Sequence, residues 1–314
     1  MLGPGRVANE RLSLPEEIES IRFAANGIDV HALASGPADG QLVVLLHGFP
    51  ELARSWRHQL VALGRAGYRA VAPDQRGYGQ TTRRGPYDIE TLSADVAAMI
   101  DALGRERAVV IGHDWGGGVA WAVAGLYPQR VRALVVANCP PSQVLARALK
   151  RSLRQLKKSL YMFFFQIPVI PERMLTANGS QAIGRSLVGG SYIRTAFDAT
   201  ELAIYQDAFS QPGAATAALN WYRAALQKPR SAGRLRQTRV SAPTLILWGS
   251  RDRFLGSELV TEASLADVMA AGNVAEIKML PDAGHFVQNE DPQLFNELLL
   301  DWLAAELAPL SSLD

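Results

Sequence analysis

The chain has 314 residues, 48% of them hydrophobic and 20% charged, with a formal net charge of +2. That balance suits a soluble globular protein able to bury a large core, and the charge is too small to argue for nucleic acid or an acidic partner. The single cysteine, Cys139, excludes an internal disulfide framework. No apolar run reaches membrane-spanning length, and Met1-Leu2-Gly3-Pro4-Gly5-Arg6 lacks the hydrophobic core of a signal peptide. A cytoplasmic protein without stable membrane association is expected.

Residues 1 to about 18 read as a loosely held lead-in. Ser20–Ala25 and Ile28–Ala34 read as two strands joined at Asn26-Gly27, a hairpin dipeptide. Leu42–Leu46 is a continuous apolar run, as in a strand buried on both faces, and it ends in His47-Gly48-Phe49-Pro50-Glu51. A helix over about 56–64, a strand at Tyr68–Ala72, the loop Arg76-Gly77-Tyr78-Gly79 and a helix over 89–103 come after it. Next come a strand from Ala108, a helix over 115–127 and a strand at Val131–Ala137. The alternation lapses, then resumes with a strand at 243–249, a helix near 257–269, a strand at 276–280 and a helix over 292–307.

Alternating strands and helices imply an α/β fold with a mostly parallel, doubly wound sheet. Residues 1–139 and 238–314 are expected to form two parts of one core, with 140–237 inserted as a helical cap. Within the insertion, Leu149, Leu153, Leu156 and Leu160 read as one apolar helical stripe, opposite Arg147, Lys150, Arg151, Arg154, Lys157 and Lys158. Such a basic amphipathic stretch can lie on a membrane, but a solvated face is the commoner meaning. The aromatic run Tyr161–Pro168 suits the underside of a lid.

The chemistry centres on Gly112-His113-Asp114-Trp115-Gly116-Gly117-Gly118, which joins a strand to a helix. A nucleophile between small residues at such a turn is held in strained φ/ψ with no room for neighbouring Cβ atoms. Here the central residue is a carboxylate. Attack by Asp114 on an sp³ carbon gives an ester of the protein, which water can cleave; the ether that a serine would form could not be cleaved. Asp114 needs no activating base, since its reference pKa is about 3.9 and a helix N-terminus comes directly after it.

The ester requires a base. Of five histidines, His31 lies in the early hairpin, His58 in a helix, His47 beside the expected oxyanion loop, and His113 points away from the turn. His285, in the loop after the last strand, is the candidate, because loops at the carboxyl ends of parallel strands build such sites. Asp252, just past the end of the preceding strand, is the carboxylate that would orient it. The order nucleophile, acid, histidine fits this architecture. Asn138 stands at another strand end where an orienting acid could sit, but an amide is poorer in that role. Backbone N–H groups of Phe49 and Trp115 are expected to hold the oxyanion. If an epoxide is opened, its oxygen needs a proton, and a phenol supplies one at neutral pH. Tyr161, Tyr192, Tyr205 and Tyr222 all lie in the insertion, so spacing alone does not select among them.

His47-Gly48-Phe49-Pro50-Glu51, Arg76-Gly77-Tyr78-Gly79, Gly112-His113-Asp114-Trp115-Gly116-Gly117 and Asn220-Trp221-Tyr222-Arg223 together resemble the α/β-hydrolase-fold epoxide hydrolases, over about Ile21 to Leu307. The resemblance implies the α/β-hydrolase fold and a covalent alkyl-aspartate route from epoxide to vicinal diol, with Asp114 as nucleophile and Asp252–His285 as its relay. It also implies two epoxide-activating tyrosines, Tyr222 and Tyr161, and a cis bond at Phe49–Pro50. The segment Tyr-Met-Phe-Phe-Phe-Gln departs from the commoner pattern around the first tyrosine. The partners implied are a small epoxide and water, with no cofactor or metal, and a homodimer is compatible with the sequence. Haloalkane dehalogenases share the aspartate, but Phe49 replaces their usual halide donor. Fluoroacetate dehalogenases generally carry arginine where this chain has Trp115. A non-catalytic ligand-binding member of the fold is the reading from another class, and a full set of nucleophile, base and acid argues against it.

Overall fold

In the computed structural model, residues 14–226 and 238–307 are described. The first thirteen residues of the expected lead-in and the expected end of the insertion at Gln237 lie outside them. The strands are β1 (Glu19–Ala25), β2 (Ile28–Ser35), β3 (Leu42–Leu46), β4 (Arg69–Pro73), β5 (Ala108–His113), β6 (Val131–Ala137), β7 (Thr244–Gly249) and β8 (Glu276–Leu280). They form one eight-stranded sheet in the order β1-β2-β4-β3-β5-β6-β7-β8. All pairings from β4 through β8 are parallel, while β1–β2 and β2–β4 are antiparallel.

Strand side chains alternate between two faces, and from β3 through β7 both faces are buried. Val44, Leu46, Val110, Val136, Ile246 and Trp248 belong to one core, covered by α2 (Ile89–Ala102) and α3 (Trp115–Leu126). Val43, Leu45, Val109, Ile111, Val135 and Leu247 belong to the other, covered by α1 (Arg57–Arg65) and the C-terminal helix. Two-sided burial is why these strands read as unbroken apolar runs. The chain leaves β3 toward β4 on one side and returns to β5 on the other, so the loops after β3 and β5 open at the topological switch point.

Between β6 and β7 the described chain is helical. It forms α4 (Ser142–Arg151), α5 (Leu153–Lys158), α6 (Leu160–Phe164), α7 (Ile170–Gly190), α8 (Ala199–Ser210) and α9 (Ala214–Leu226). Helix α7 is interrupted at Ala177–Ser180, where the backbone leaves the helical region. After β7 come α10 (Glu262–Leu265), α11 (Val287–Glu290) and α12 (Pro292–Leu307).

Two expectations are corrected. The leucine stripe is not one helix, because Ser152 is extended and its hydroxyl caps Gln155 N–H, starting a new helix. A serine that bonds the backbone locally competes with helix continuation. As a result Leu153 and Leu160 are exposed, not buried. The helix expected near 257–269 is instead a 3₁₀ turn at Ser257–Leu259 and the short α10. The β-branched pair Val260-Thr261 leaves the helical region, and Thr261 forms a capping box with Ser264. The lead-in is also held from Leu14 onward, where Leu14 and Ile18 pack on a core face.

The close approach of α3 to the sheet depends on Gly116. A Cβ there would lie 2.1 Å from Leu46 O and 2.6 Å from His47 O, both backbone atoms that cannot swing aside. Gly116→Ala is therefore expected to cost about 3 kcal/mol or more in urea unfolding. Gly189→Ala, in a helix with nothing within 4 Å of the added carbon, should be neutral or stabilising by up to about 1 kcal/mol. Equal effects of the two would overturn the packing argument.

Candidate active site

Strand β5 delivers Asp114 to the turn with φ of 50° and ψ of −121°, outside the ordinary regions for a residue with a side chain. The carboxylate sits between the loops that come after β3 and β8. From the β3 loop, Phe49 N–H donates to Asp114 Oδ1 at 2.9 Å. A Cβ on Gly48 would stand 2.4 Å from Asp114 Cβ, so only glycine lets this loop pass. The Phe49–Pro50 bond is cis. Trp115 is the first residue of α3, so its N–H is among those at the helix start that the helix itself leaves without a partner.

From the β8 loop, His285 Nε2 lies 3.5 Å from Asp114 Oδ2. Its other nitrogen, Nδ1, donates to Asp252 Oδ2 at 2.9 Å. Asp252 is held in turn by N–H groups of Phe254 (2.7 Å) and Leu255 (3.0 Å) on Oδ1 and by Asn138 Nδ2 (2.7 Å) on Oδ2. Asn138 also accepts Gly249 N–H at 2.9 Å. The strand-end position where an orienting acid could sit thus holds the amide that steadies Asp252.

Burial acts against every charge in this cluster, and the partners overcome it. Burial would raise Asp114, but the hydrogen bond and charge of His285, then His113 and the Phe49 N–H, bring its carboxyl below the usual range. Burial would likewise raise Asp252, and His285 and Asn138 outweigh it. Burial would lower His285, yet Asp252 and Asp114 hold its imidazolium well above the ordinary value.

Of the other histidines, His31, His47 and His113 are occupied by hydrogen bonds. His31 bonds Asp74 and Ser20. His47 donates to Gly48 O and accepts from Gln75 N–H, and burial lowers its pKa. His58 is pulled down to about 4, chiefly by burial and then by Arg57. His113 Nε2 donates to the carbonyl of His285 at 2.8 Å, and its Nδ1 lies 2.6 Å from Glu51.

The four tyrosines separate by environment. Tyr205 is fully buried with its hydroxyl on Ser55 Oγ at 2.8 Å, and Tyr192 is half-exposed beneath the Arg251 guanidinium. Tyr161 and Tyr222 face each other, ring centroids 6.0 Å apart. Tyr222 sits edge-on to Trp115 at 5.0 Å and to Phe49 at 5.4 Å. Tyr161 meets Phe254, whose ring meets His285 at 5.0 Å. Burial raises both phenols, and the charge on Asp114 adds to the rise in each. The Asp114 side chain keeps 13% of its surface accessible. Two surface clefts of about 530 and 500 Å³ lie elsewhere and contain none of these residues.

Two buried carboxylates in the framework carry no role readable from the sequence. Glu51 accepts Gly48 N–H and Gln288 Nε2 and pairs with His113. It joins the Phe49 loop to the carbonyl of His285. Glu290 accepts the N–H groups of Gly284 and Phe286 on either side of His285, and those of Tyr192 and Ile193 between α7 and α8. Glu51 at least ends the His47–Glu51 motif, whereas Glu290, five residues past His285, has no local signal. Among the described residues no cluster of histidine, cysteine and carboxylates could hold a metal ion.

Glu290→Gln replaces one acceptor oxygen with a donor facing N–H groups. Charge-assisted bonds of this kind contribute about 1.5–3 kcal/mol each. The variant should lose about 3 kcal/mol in urea unfolding and turn over at least about tenfold more slowly. Wild-type stability and turnover together would show that the four bonds do not hold the His285 loop.

Residues 41–292 match the family model for the alpha/beta hydrolase fold. The AB hydrolase superfamily protein YfhM of Bacillus subtilis is 38% identical over 88% of this chain and 95% of its own length. Human Epoxide hydrolase 4 is 36% identical over 91% of this chain and 78% of its own length. The crystal structure of Epoxide Hydrolase A from Mycobacterium thermoresistibile superposes with a TM-score of 0.75 at 32% identity, over 91% of this chain and 98% of that one. Sequence, sheet order and the strand–Asp114–helix turn agree: the chain is a hydrolase of the α/β-hydrolase fold, in the family to which the epoxide hydrolases belong.

Proposed function

We propose that the protein hydrolyses epoxides to vicinal diols through an ester of Asp114. The observation that carries this reading is the position of one carboxylate. Its Oδ1 receives a loop N–H, its Oδ2 faces a carboxylate-backed histidine, and two phenols that face each other feel its charge. Its relatives named epoxide hydrolases support the choice of substrate.

In the first half, Asp114 Oδ2 attacks an epoxide carbon. The bond from that carbon to the ring oxygen breaks, and the oxygen takes a proton from Tyr222 or Tyr161, leaving a phenolate. Attack also removes the negative charge that raised both phenols, so they become better donors as the proton is needed. In the second half, His285 Nε2 takes a proton from water, and the hydroxide attacks Asp114 Cγ. The oxyanion forms on Oδ1 against the N–H groups of Phe49 and Trp115, where one donor is typically worth about 10²–10³ in rate. The acyl–oxygen bond then breaks, the diol oxygen takes the proton from His285, and the proton from the restored carboxyl returns to the phenolate. The sum is epoxide plus water to diol. The helices between β6 and β7 act as the cap that carries both phenols.

His285→Gln should form the ester and fail to cleave it. Intact mass after adding styrene oxide should show the enzyme plus one substrate, and a single wild-type turnover in ¹⁸O-water should label Asp114 before the diol. Label appearing directly in the diol would remove the covalent step. Halide release from haloalkanes, with every epoxide inert, would assign the site to dehalogenation.

Esterification removes one of the two carboxylates that raise His285. The imidazole therefore binds its proton more weakly in the ester than in the free enzyme. In stopped-flow fluorescence, ester cleavage should rise with pH through a pKa lower than the one found for His285 by NMR in the resting protein. Equal or reversed values would refute this coupling.

A further inference from the structure

The exposed apolar side chains of this protein are concentrated in one stretch. Of eleven large hydrophobic residues exposed among the described residues, seven fall between Leu153 and Met174, and Leu153 is 77% exposed. On α6 and its C-cap Phe165, Leu160 and Phe163 are outward while Tyr161 and Phe165 pack inward, as spacings of three and four on a helix require. On the first turns of α7, Ile170 and Met174 repeat the outward spacing. Arg223 fixes this wall from beneath by donating to the carbonyls of Phe165 and Ile167 and pairing with Glu172.

The same stretch is strongly cationic. Residues 142–171 contain six lysines and arginines and no acid. Arg147 pairs with Asp267, and Lys158 donates to the carbonyl of Asp252. Lys150, Arg151, Arg154 and Lys157 are exposed and pair with no acid among the described residues.

We propose that this outer face of the inserted helices docks reversibly on an anionic lipid bilayer. Leu153, Leu160, Phe163 and Ile170 enter the headgroup boundary, and the four unpaired cations meet lipid phosphates and carboxylates. A second copy of the chain is the poorer occupant, since a shared face would set lysine and arginine against lysine and arginine. Docking needs no spanning segment, and none of the described helices is long and apolar enough to cross a membrane. It would bring α6, which carries Tyr161 on its inner side, to the surface where apolar substrates partition. The proposal goes beyond the hydrolytic reading and does not depend on it.

The test is sedimentation of the full chain with phosphatidylcholine vesicles, with and without phosphatidylserine. The protein should pellet with the anionic vesicles at low salt and be released as salt screens the charges. Each cation near such a surface contributes about fivefold to partitioning, so Lys150→Glu with Arg154→Glu should weaken binding by at least about 25-fold. Leu153→Ser with Phe163→Ser should weaken it independently; thermal melting confirms that each variant folds. Wild type remaining in the supernatant at low salt, or both variants pelleting like wild type, overturns the proposal. So does a concentration-dependent dimer that the serine variant abolishes without any vesicle binding.

Discussion

A charged oxygen in a nearly dry turn is the constraint around which this protein is arranged. Removing a carboxylate from water is costly unless donors and an opposite charge replace the water. At Asp114 the replacement is made by Phe49 N–H on one oxygen and the imidazole of His285 beside the other. Two unit charges about 4 Å apart at an effective dielectric near 20 interact by about 4 kcal/mol, or roughly three pKa units. A coupling of that order means that changing the charge of Asp114 changes the proton affinity of everything facing it. The arrangement is a poor way to stabilise a fold, and in the proposed mechanism it links one bond-forming event to two proton transfers.

The turn itself is strained, and the strain is sustained from outside. A positive φ at a residue with a side chain costs about 1–3 kcal/mol and persists only where the surroundings leave no alternative. Here they leave none: α3 abuts the end of β3 at Gly116, and the β3 loop passes Asp114 at Gly48. Behind the reacting groups, Glu51 ties the Phe49 loop to the His285 loop, and Glu290 ties the His285 loop to the chain between α7 and α8. His285 is therefore held by His113 on β5, by Asp252 just past β7, and by Glu290, which also holds the chain between α7 and α8. Arg54 extends the same connection with a bidentate contact to Glu201 on α8.

What the sequence revealed and concealed has a common physical cause. The central strands were legible because two-sided burial requires continuous apolar runs. The Asp114 turn was legible because close backbone approach admits only glycine, a demand visible at fixed spacing. His285 and Asp252 were legible from their places at strand ends. Glu290 has no signature and Glu51 only its place at the end of the His47–Glu51 motif, since the His113 and Gln288 side chains on Glu51 and the Tyr192 and Ile193 N–H groups on Glu290 are brought in only by tertiary structure. Nor could spacing choose among four tyrosines, because what separates Tyr205 from Tyr222 is a hydroxyl on α1's approach, Ser55, that takes one of them. The breaks at Ser152 and Val260-Thr261 are not legible because a single serine or threonine occurs in helix interiors as well as at caps, and periodicity does not say which.

That last ambiguity reaches into function. With α4 and α5 read as one helix, the leucines between Leu149 and Leu160 fall on a single stripe and are assigned to packing. A break of one residue at Ser152 rotates α5 and α6 relative to α4, so Leu153 and Leu160 turn to solvent beside the cations they were expected to oppose. Tyr161 comes directly after Leu160 in α6, and adjacent residues on a helix point about 100° apart. An outward Leu160 and Phe163 and an inward Tyr161 and Phe165 are thus one geometric fact. The short helix that turns the Tyr161 ring inward to face Tyr222 must also present an apolar edge to the outside. Burying that edge would require turning the phenol away.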